Sequence, residues 1–155
     1  MSTLSEGDPA PDFNLPTDAS GTVSLSSFAG KPVVLYFYPK DDTPGCTKEA
    51  VTFSELMPRF AKRGIQIIGV SPDSVASHMK FRNKHDLGVA LGSDEDKSVC
   101  QSYGVWVEKS MYGKTYMGVE RATFLIGPDG KIARIWRKVK VPGHAEAVLE
   151  AAEAL

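Results

Sequence analysis

The run Val33-Val-Leu-Tyr-Phe-Tyr38, opened by Lys31-Pro32 and ended by Pro39, constrains this chain more than any other segment. It is apolar without alternation, so it suits a central strand buried on both faces, and such a strand needs an element packed against each side. The period changes from Thr43 onward. Phe53, Leu56, Met57 and Phe60 recur at helical spacing, and Gly64 closes the segment as a C-cap. Ile65–Val70 reads as the next buried strand. Ser74–Leu87 reads as an amphipathic helix, with Val75, Met79 and Phe81 or Arg82 facing inward. Val89–Leu91 is a brief strand and Glu95–Ser102 a short helix. Ala122–Ile126 and Ile132–Arg137 flank a Pro128-Asp129-Gly130 turn as a hairpin, and His144–Leu155 is a helix rich in Ala, Glu and Leu. Ahead of all these, Pro11–Leu25 reads as a short hairpin around Asp18-Ala19-Ser20-Gly21.

This order predicts an α/β fold with a mixed central β-sheet flanked by helices. It suits a thioredoxin-like core carrying an extra N-terminal β-hairpin. The 155 residues fit a single domain, 1–155, large enough to form a core without a metal or disulfide staple. Tyr103–Glu120 stands apart: it holds Trp106, Tyr112 and Tyr116 but no sustained period. Irregular segments beyond about 12–15 residues are uncommon unless functional or disordered, and three aromatics argue against disorder. The segment therefore reads as a structured loop, either beside a site or covering one end of the core.

Charge and cysteine usage narrow the function classes. Eighteen Lys and Arg against 19 Asp and Glu leave a net charge of −1, with both signs mixed along the chain. No nucleic-acid or membrane partner is implied. The N-terminal residues carry neither a basic nor an apolar leader segment, which points to a cytoplasmic protein with free thiols. Cys46 and Cys100 are too few and too distant for a disulfide framework. His78, His85 and His144 fall at unrelated spacings, form no metal motif and read as surface residues.

The segment Tyr38-Pro39-Lys-Asp-Asp-Thr43-Pro44-Gly45-Cys46-Thr47-Lys48-Glu49 carries the chemistry. Pro39 ends a buried strand, where loops at the sheet's carboxyl edge hold ligands. Thr43 stands as N-cap and Pro44 at the favoured first helical position, which puts Cys46 in the first turn. There the unpaired backbone N–H groups and the positive end of the helix dipole favour an anion. A free cysteine ionises near about 8.5, and a helix N-terminus or a cation lowers this, so the position is built to present a thiolate. Gly45 leaves the approach to the sulfur open.

The segment resembles the peroxiredoxin signature: Pro39, three residues, Thr43, two residues, then the peroxidatic Cys46. The likeness extends through Tyr103-Gly-Val-Trp-Val-Glu-Lys-Ser and Gly113-Lys-Thr-Tyr to the peroxiredoxin Q group, also called bacterioferritin comigratory proteins. It implies a peroxidase that reduces hydrogen peroxide and organic hydroperoxides through a Cys46 sulfenic acid, with no metal, flavin or haem. It also implies that Thr43 and the loop backbone bond the sulfur and the peroxide while Pro39 shields the pocket. Arg121, before a late strand, stabilises the thiolate and the leaving oxygen, and Glu49 either orients this Arg or forms a helix salt bridge.

Two features depart from that group. Its resolving cysteine stands either five residues after the peroxidatic one, here Val51, or on the following helix near Arg82. Cys100 alone remains. The first expectation is a one-cysteine cycle in which glutathione, a glutaredoxin or thioredoxin reduces the sulfenic acid, with Cys100 as packing. The second is a Cys46–Cys100 disulfide. Many members of the group are monomers, and that is the expectation here. A thiol–disulfide oxidoreductase of the same fold is a poorer fit, because Glu49 occupies the second cysteine's place in Cys-x-x-Cys. A non-enzymatic chaperone or interaction module has no use for Pro39, Thr43, Cys46 and Arg121 together.

Overall fold

A computed structural model describes residues 4–18 and 21–155. The hairpin of β1 (Asn14–Pro16) and β2 (Thr22–Ser24) forms as expected, with Ala19 and Ser20 of its connection outside the described residues. A turn of 3-10 helix, Leu25–Phe28, leads into β3 (Val33–Phe37), and then come α1 (Pro44–Ala61), β4 (Gln66–Ser71), α2 (Val75–His85), β5 (Ala90–Ser93) and α3 (Ser98–Ser102). The chain continues through β6 (Trp106–Met111), β7 (Lys114–Val119), β8 (Ala122–Ile126), β9 (Ile132–Trp136) and α4 (His144–Glu153). The main sheet runs β5-β4-β3-β8-β9, with β3, β4 and β5 parallel and β8 and β9 antiparallel to their neighbours. This is the mixed sheet and element order of a thioredoxin-type fold with an added N-terminal hairpin.

Strand β3 is central and every residue of it is buried, as its uniform apolar run requires. Successive side chains point to opposite faces. Val34, Tyr36 and Tyr38 therefore join a core with Ala50, Phe53 and Phe60 of α1, Phe81 of α2, and Val148 and Leu149 of α4. Val33, Leu35 and Phe37 join the other core, with Phe13, Leu15 and Val23 of the hairpin, Cys100 of α3 and Tyr103.

The reading of 103–120 as a loop is corrected. Most of it is a β-hairpin, turning at Tyr112 (φ 53°) and Gly113 (φ 77°). Two consecutive left-handed residues make the turn whose twist suits a hairpin. The pattern hid it because the hairpin projects from the core: Met111, Tyr112, Tyr116 and Met117 are all exposed, so the two faces never separate into apolar and polar. On α2 the inward residues are His78 and Phe81, whereas Met79 is exposed.

One close approach holds the layers. A Cβ on Gly69 of β4 would lie 2.6 Å from Cζ of Tyr36, its neighbour on β3, whose ring stacks on Phe53 with centroids 4.8 Å apart. Gly69→Ala is expected to cost about 1–3 kcal/mol by overpacking. Urea unfolding at unchanged m-value checks it, and an unchanged midpoint would show that the Tyr36 ring moves freely.

Candidate active site

The carboxyl end of β3 lies beside the start of β8 because the two strands are antiparallel, Phe37 pairing with Ala122. One residue further out, Tyr38 begins the loop that leads to α1, and Arg121 precedes β8. This register brings together groups 75 positions apart: Arg121 Nη2 donates to Cys46 Sγ at 3.3 Å, and Nη1 donates to Glu49 Oε1 at 2.6 Å. Cys46 and Glu49 lie one turn apart on α1, so one guanidinium spans both. The Val139 N–H donates to the Arg121 carbonyl at 3.0 Å and fixes its backbone.

Pro44 opens α1 at the first position and puts Cys46 in the first turn, 2% exposed. Thr43 occupies the N-cap with extended backbone, but its hydroxyl donates to the Lys40 carbonyl at 2.9 Å and caps nothing. A Cβ on Gly45 would lie 3.2 Å from Arg121 Nη2, so its lack of a side chain lets the guanidinium lie across the helix start. Pro39 is half-buried.

Glu49 is 1% exposed, and burial raises its carboxyl from 4.5 to about 7 against the opposing charge and hydrogen bond of Arg121. Burial works against the Arg121 charge as well, but Glu49 and Cys46 outweigh it and hold the guanidinium firmly protonated. Lys109, on β6, is a further cation facing Cys46 and Arg121; burial and the Arg121 charge lower its pKa. Its place in a segment without evident period hid it from sequence reasoning. A thiol held against a fixed cation in the first turn of a helix is equipped for nucleophilic attack.

A family model described as AhpC/TSA matches residues 6–135. The chain belongs to the AhpC/TSA family. A putative peroxiredoxin Bcp from Coxiella burnetii is 49% identical over 147 residues, covering 95% of this chain and 97% of that protein. The Xanthomonas campestris bacterioferritin comigratory protein, whose structure was solved to explain its alkyl peroxide reduction, matches with TM-score 0.88 at 47% identity, covering 92% of this chain and 90% of its own. Two solved Xanthomonas campestris peroxiredoxin Q variants, at the same TM-score of 0.88, replace with serine two cysteines spaced as Cys46 and Arg82 are spaced here. Relatives of this likeness over nearly the whole chain make this AhpC/TSA member a thiol-dependent peroxidase, with a hydroperoxide substrate and a thiol reductant.

Arg82 lies on α2 of this family member. Its guanidinium forms an ion pair with the fully buried Asp18 carboxylate and donates to the carbonyls of Leu87 at 2.6 Å and Val89 at 2.5 Å. Cys100 is 0% exposed, and its N–H donates to Asp94 Oδ2 at 2.8 Å. Burial, then the Asp94 carboxylate, pushes its thiol far above the ordinary value. It packs in the Leu35 and Phe37 core, while Cys46 packs in the Tyr36 and Tyr38 core, so the sheet lies between the two sulfurs.

The histidines correct the surface expectation. His85 is half-buried, with Nε2 2.8 Å from Asp42. His144 is buried; its Nε2 lies 2.7 Å from Thr123 Oγ1, and burial and the Arg121 charge lower its pKa to about 4, leaving it neutral. His78 is 0% exposed and sits with Asp41 and Asp73, their ligand atoms within 4.8 Å of one another. Their lone pairs are engaged by internal donors: Asp41 takes Tyr38, Ser77 and His78, and Asp73 Oδ2 takes the Ser71 hydroxyl and the Asp41 N–H. No helix among the described residues is long and apolar enough to cross a membrane.

Proposed function

We propose that Cys46 is the peroxidatic thiol of a one-cysteine cycle and that Arg121, Thr43, Pro39 and Glu49 form its site. The Cys46 sulfur attacks the terminal oxygen of a hydroperoxide, the O–O bond breaks, and the leaving oxygen takes a proton to become water or an alcohol. Cys46 retains the other oxygen as a sulfenic acid. One external thiol expels water to form a mixed disulfide, and a second thiol releases Cys46. The observation that carries this reading is the Arg121 guanidinium bridging Cys46 and Glu49. It stands where charge grows on both the sulfur and the leaving oxygen. The alkyl peroxide activity of the Xanthomonas campestris protein supports organic hydroperoxides as substrates.

Three placements favour an external thiol over Cys100. The sheet separates the sulfurs, Cys100 is tied down by Asp94, and Arg82 fills the position where the Xanthomonas campestris variants point to a second cysteine. A disulfide needs Cα atoms within about 4.4–6.8 Å, and unwinding α1 alone leaves the sheet in the way. Glutathione, a glutaredoxin or thioredoxin in a cytoplasmic reducing environment supplies the thiol. The reading is of a monomer, as the resemblance to the peroxiredoxin Q group implies.

Intact mass after one equivalent of hydrogen peroxide, with a sulfenic-acid trap present, tests the cycle. The expected product carries the trap on Cys46, and Cys100→Ser gives the same product at an unchanged rate. Loss of two hydrogens without trapping, in a monomer, overturns the one-cysteine cycle and makes Cys100 the resolving thiol.

A further inference from the structure

Directly paired residues of two strands share a face, and so do residues two apart on one strand. In the β6–β7 hairpin Lys109 pairs with Tyr116 and Val107 with Gly118, so these residues share one face, with Met111 and Lys114 further out on it. Gly118 is bare where two side chains cross it. A Cβ there would lie 3.2 Å from Lys109 Cδ and 3.4 Å from Tyr116 Cε2. Both side chains therefore lean away from the tip of the hairpin and toward its base, where β7 leads through Glu120 into Arg121.

The stem of Lys109 is packed in this way while its ammonium is carried toward the thiol. The charges that act on the ammonium are those of Arg121, Cys46 and Glu120. Burial first, then the Arg121 charge, lowers its pKa, against Cys46 and Glu120. Its neighbours are already engaged with other groups: Arg121 gives Nη2 to Cys46 and Nη1 to Glu49, and Glu120 Oε2 lies 3.7 Å from Arg137 Nη1. Among the described residues the Lys109 ammonium makes no hydrogen bond or ion pair. It has three hydrogens to donate, and a second cation nearby makes its unpaired charge costlier. An anion that arrives with a reactant would relieve both. One compact ammonium matches a single negative charge, and the Tyr116 ring beside it, 45% exposed, offers apolar surface. These groups stand around Cys46 as a free thiol, the form that meets the peroxide.

Resting on the reading of Cys46 as the peroxidatic thiol, we propose that Lys109 and Tyr116 form a subsite for the organic part of a hydroperoxide that carries a carboxylate. Lys109 pairs with the carboxylate, and the Tyr116 ring covers the carbon chain between it and the O–O bond. The hairpin thus sets a preference among hydroperoxides, while Arg121 remains with the sulfur and the leaving oxygen.

Two pairs of reagents test this on the full chain, each pair differing by one negative charge. Iodoacetate and iodoacetamide alkylate Cys46; tert-butyl hydroperoxide extended by a carboxylate, and the methyl ester of that acid, oxidise it. In Lys109→Met the anionic member of each pair is expected to slow about fivefold more than the neutral one, the worth of one partly exposed ion pair. Lys109→Arg should restore the ratio. Lys114→Met, an equal change of charge near the hairpin tip, should leave it as in the unsubstituted protein. Equal slowing of both members of a pair, or an unchanged ratio in Lys109→Met, overturns the subsite. So does an equal fall in Lys114→Met, since net charge alone would then explain the preference, and so does a fall confined to the alkylating pair. If neither hydroperoxide oxidises Cys46 in the unsubstituted protein, the peroxidatic reading fails, whereas the alkylation ratio still reports whether Lys109 draws a carboxylate to the thiol.

Discussion

Cys46→Ser is expected to leave the protein folded and to abolish hydroperoxide turnover, a loss of at least about 10³-fold in kcat/KM. A serine hydroxyl matches the thiol in shape but stays protonated and weakly nucleophilic at neutral pH, even beside Arg121. No second group takes over: Cys100 is fully buried, its thiol is pushed far above the ordinary range, and it faces the opposite core. A coupled peroxidase assay with thioredoxin, read alongside circular dichroism, checks this. Turnover within tenfold of the unsubstituted protein would sink the assignment of Cys46.

Arg121→Met keeps an apolar stem in the site and removes the guanidinium. Loss of one fixed donor to developing charge costs about 10²–10³-fold in rate, and slower alkylation of Cys46 at neutral pH should accompany it. The same variant carries a stability signature with a definite sign. Glu49 ionises at 4.5 ordinarily and at about 7 in the fold, burial outweighing Arg121. A carboxyl raised in the fold contributes stability that is fully present below 4.5 and is lost as pH rises through about 7. Without Arg121 nothing offsets the burial, so Glu49 holds its proton higher still and that loss continues further up the pH scale. Urea unfolding should therefore show a deficit for the variant that grows from pH 5 to pH 8 by up to about 1.4 kcal/mol, the worth of the one pH unit above the native Glu49 ionisation. An equal deficit at both values would mean that Glu49 stays protonated beside Arg121 throughout.

The parts legible in the residues alone were those with a local cause. An unbroken apolar run can only be a strand covered on both sides, and β3 is one. Thr43-Pro44 marks a helix start through backbone geometry and a missing N–H, so Cys46 falls in the first turn without knowledge of anything beyond. The Pro128-Asp129-Gly130 turn joined β8 to β9 for similar reasons. The β6–β7 hairpin escaped because periodicity reports burial, and its outer half, with Met111, Tyr112, Tyr116 and Met117 all exposed, has no buried face. The neighbour that Gly45 accommodates, the Arg121 guanidinium, comes from a distant part of the chain, and no local pattern shows it.

What the sequence by itself determined is the kind of element each segment forms and the local setting of the reactive sulfur, because turns, caps and periodicity act over a few residues. The tertiary structure decided which groups meet that sulfur. The β3–β8 register carries Arg121 to Cys46, and the side-chain alternation of β3 sends Cys46 and Cys100 to opposite cores. Burial of α2 against the sheet turns His78, which composition placed on the surface, into the partner of Asp41. These are long-range choices, settled by which apolar faces must be buried together, and no spacing along the chain encodes them.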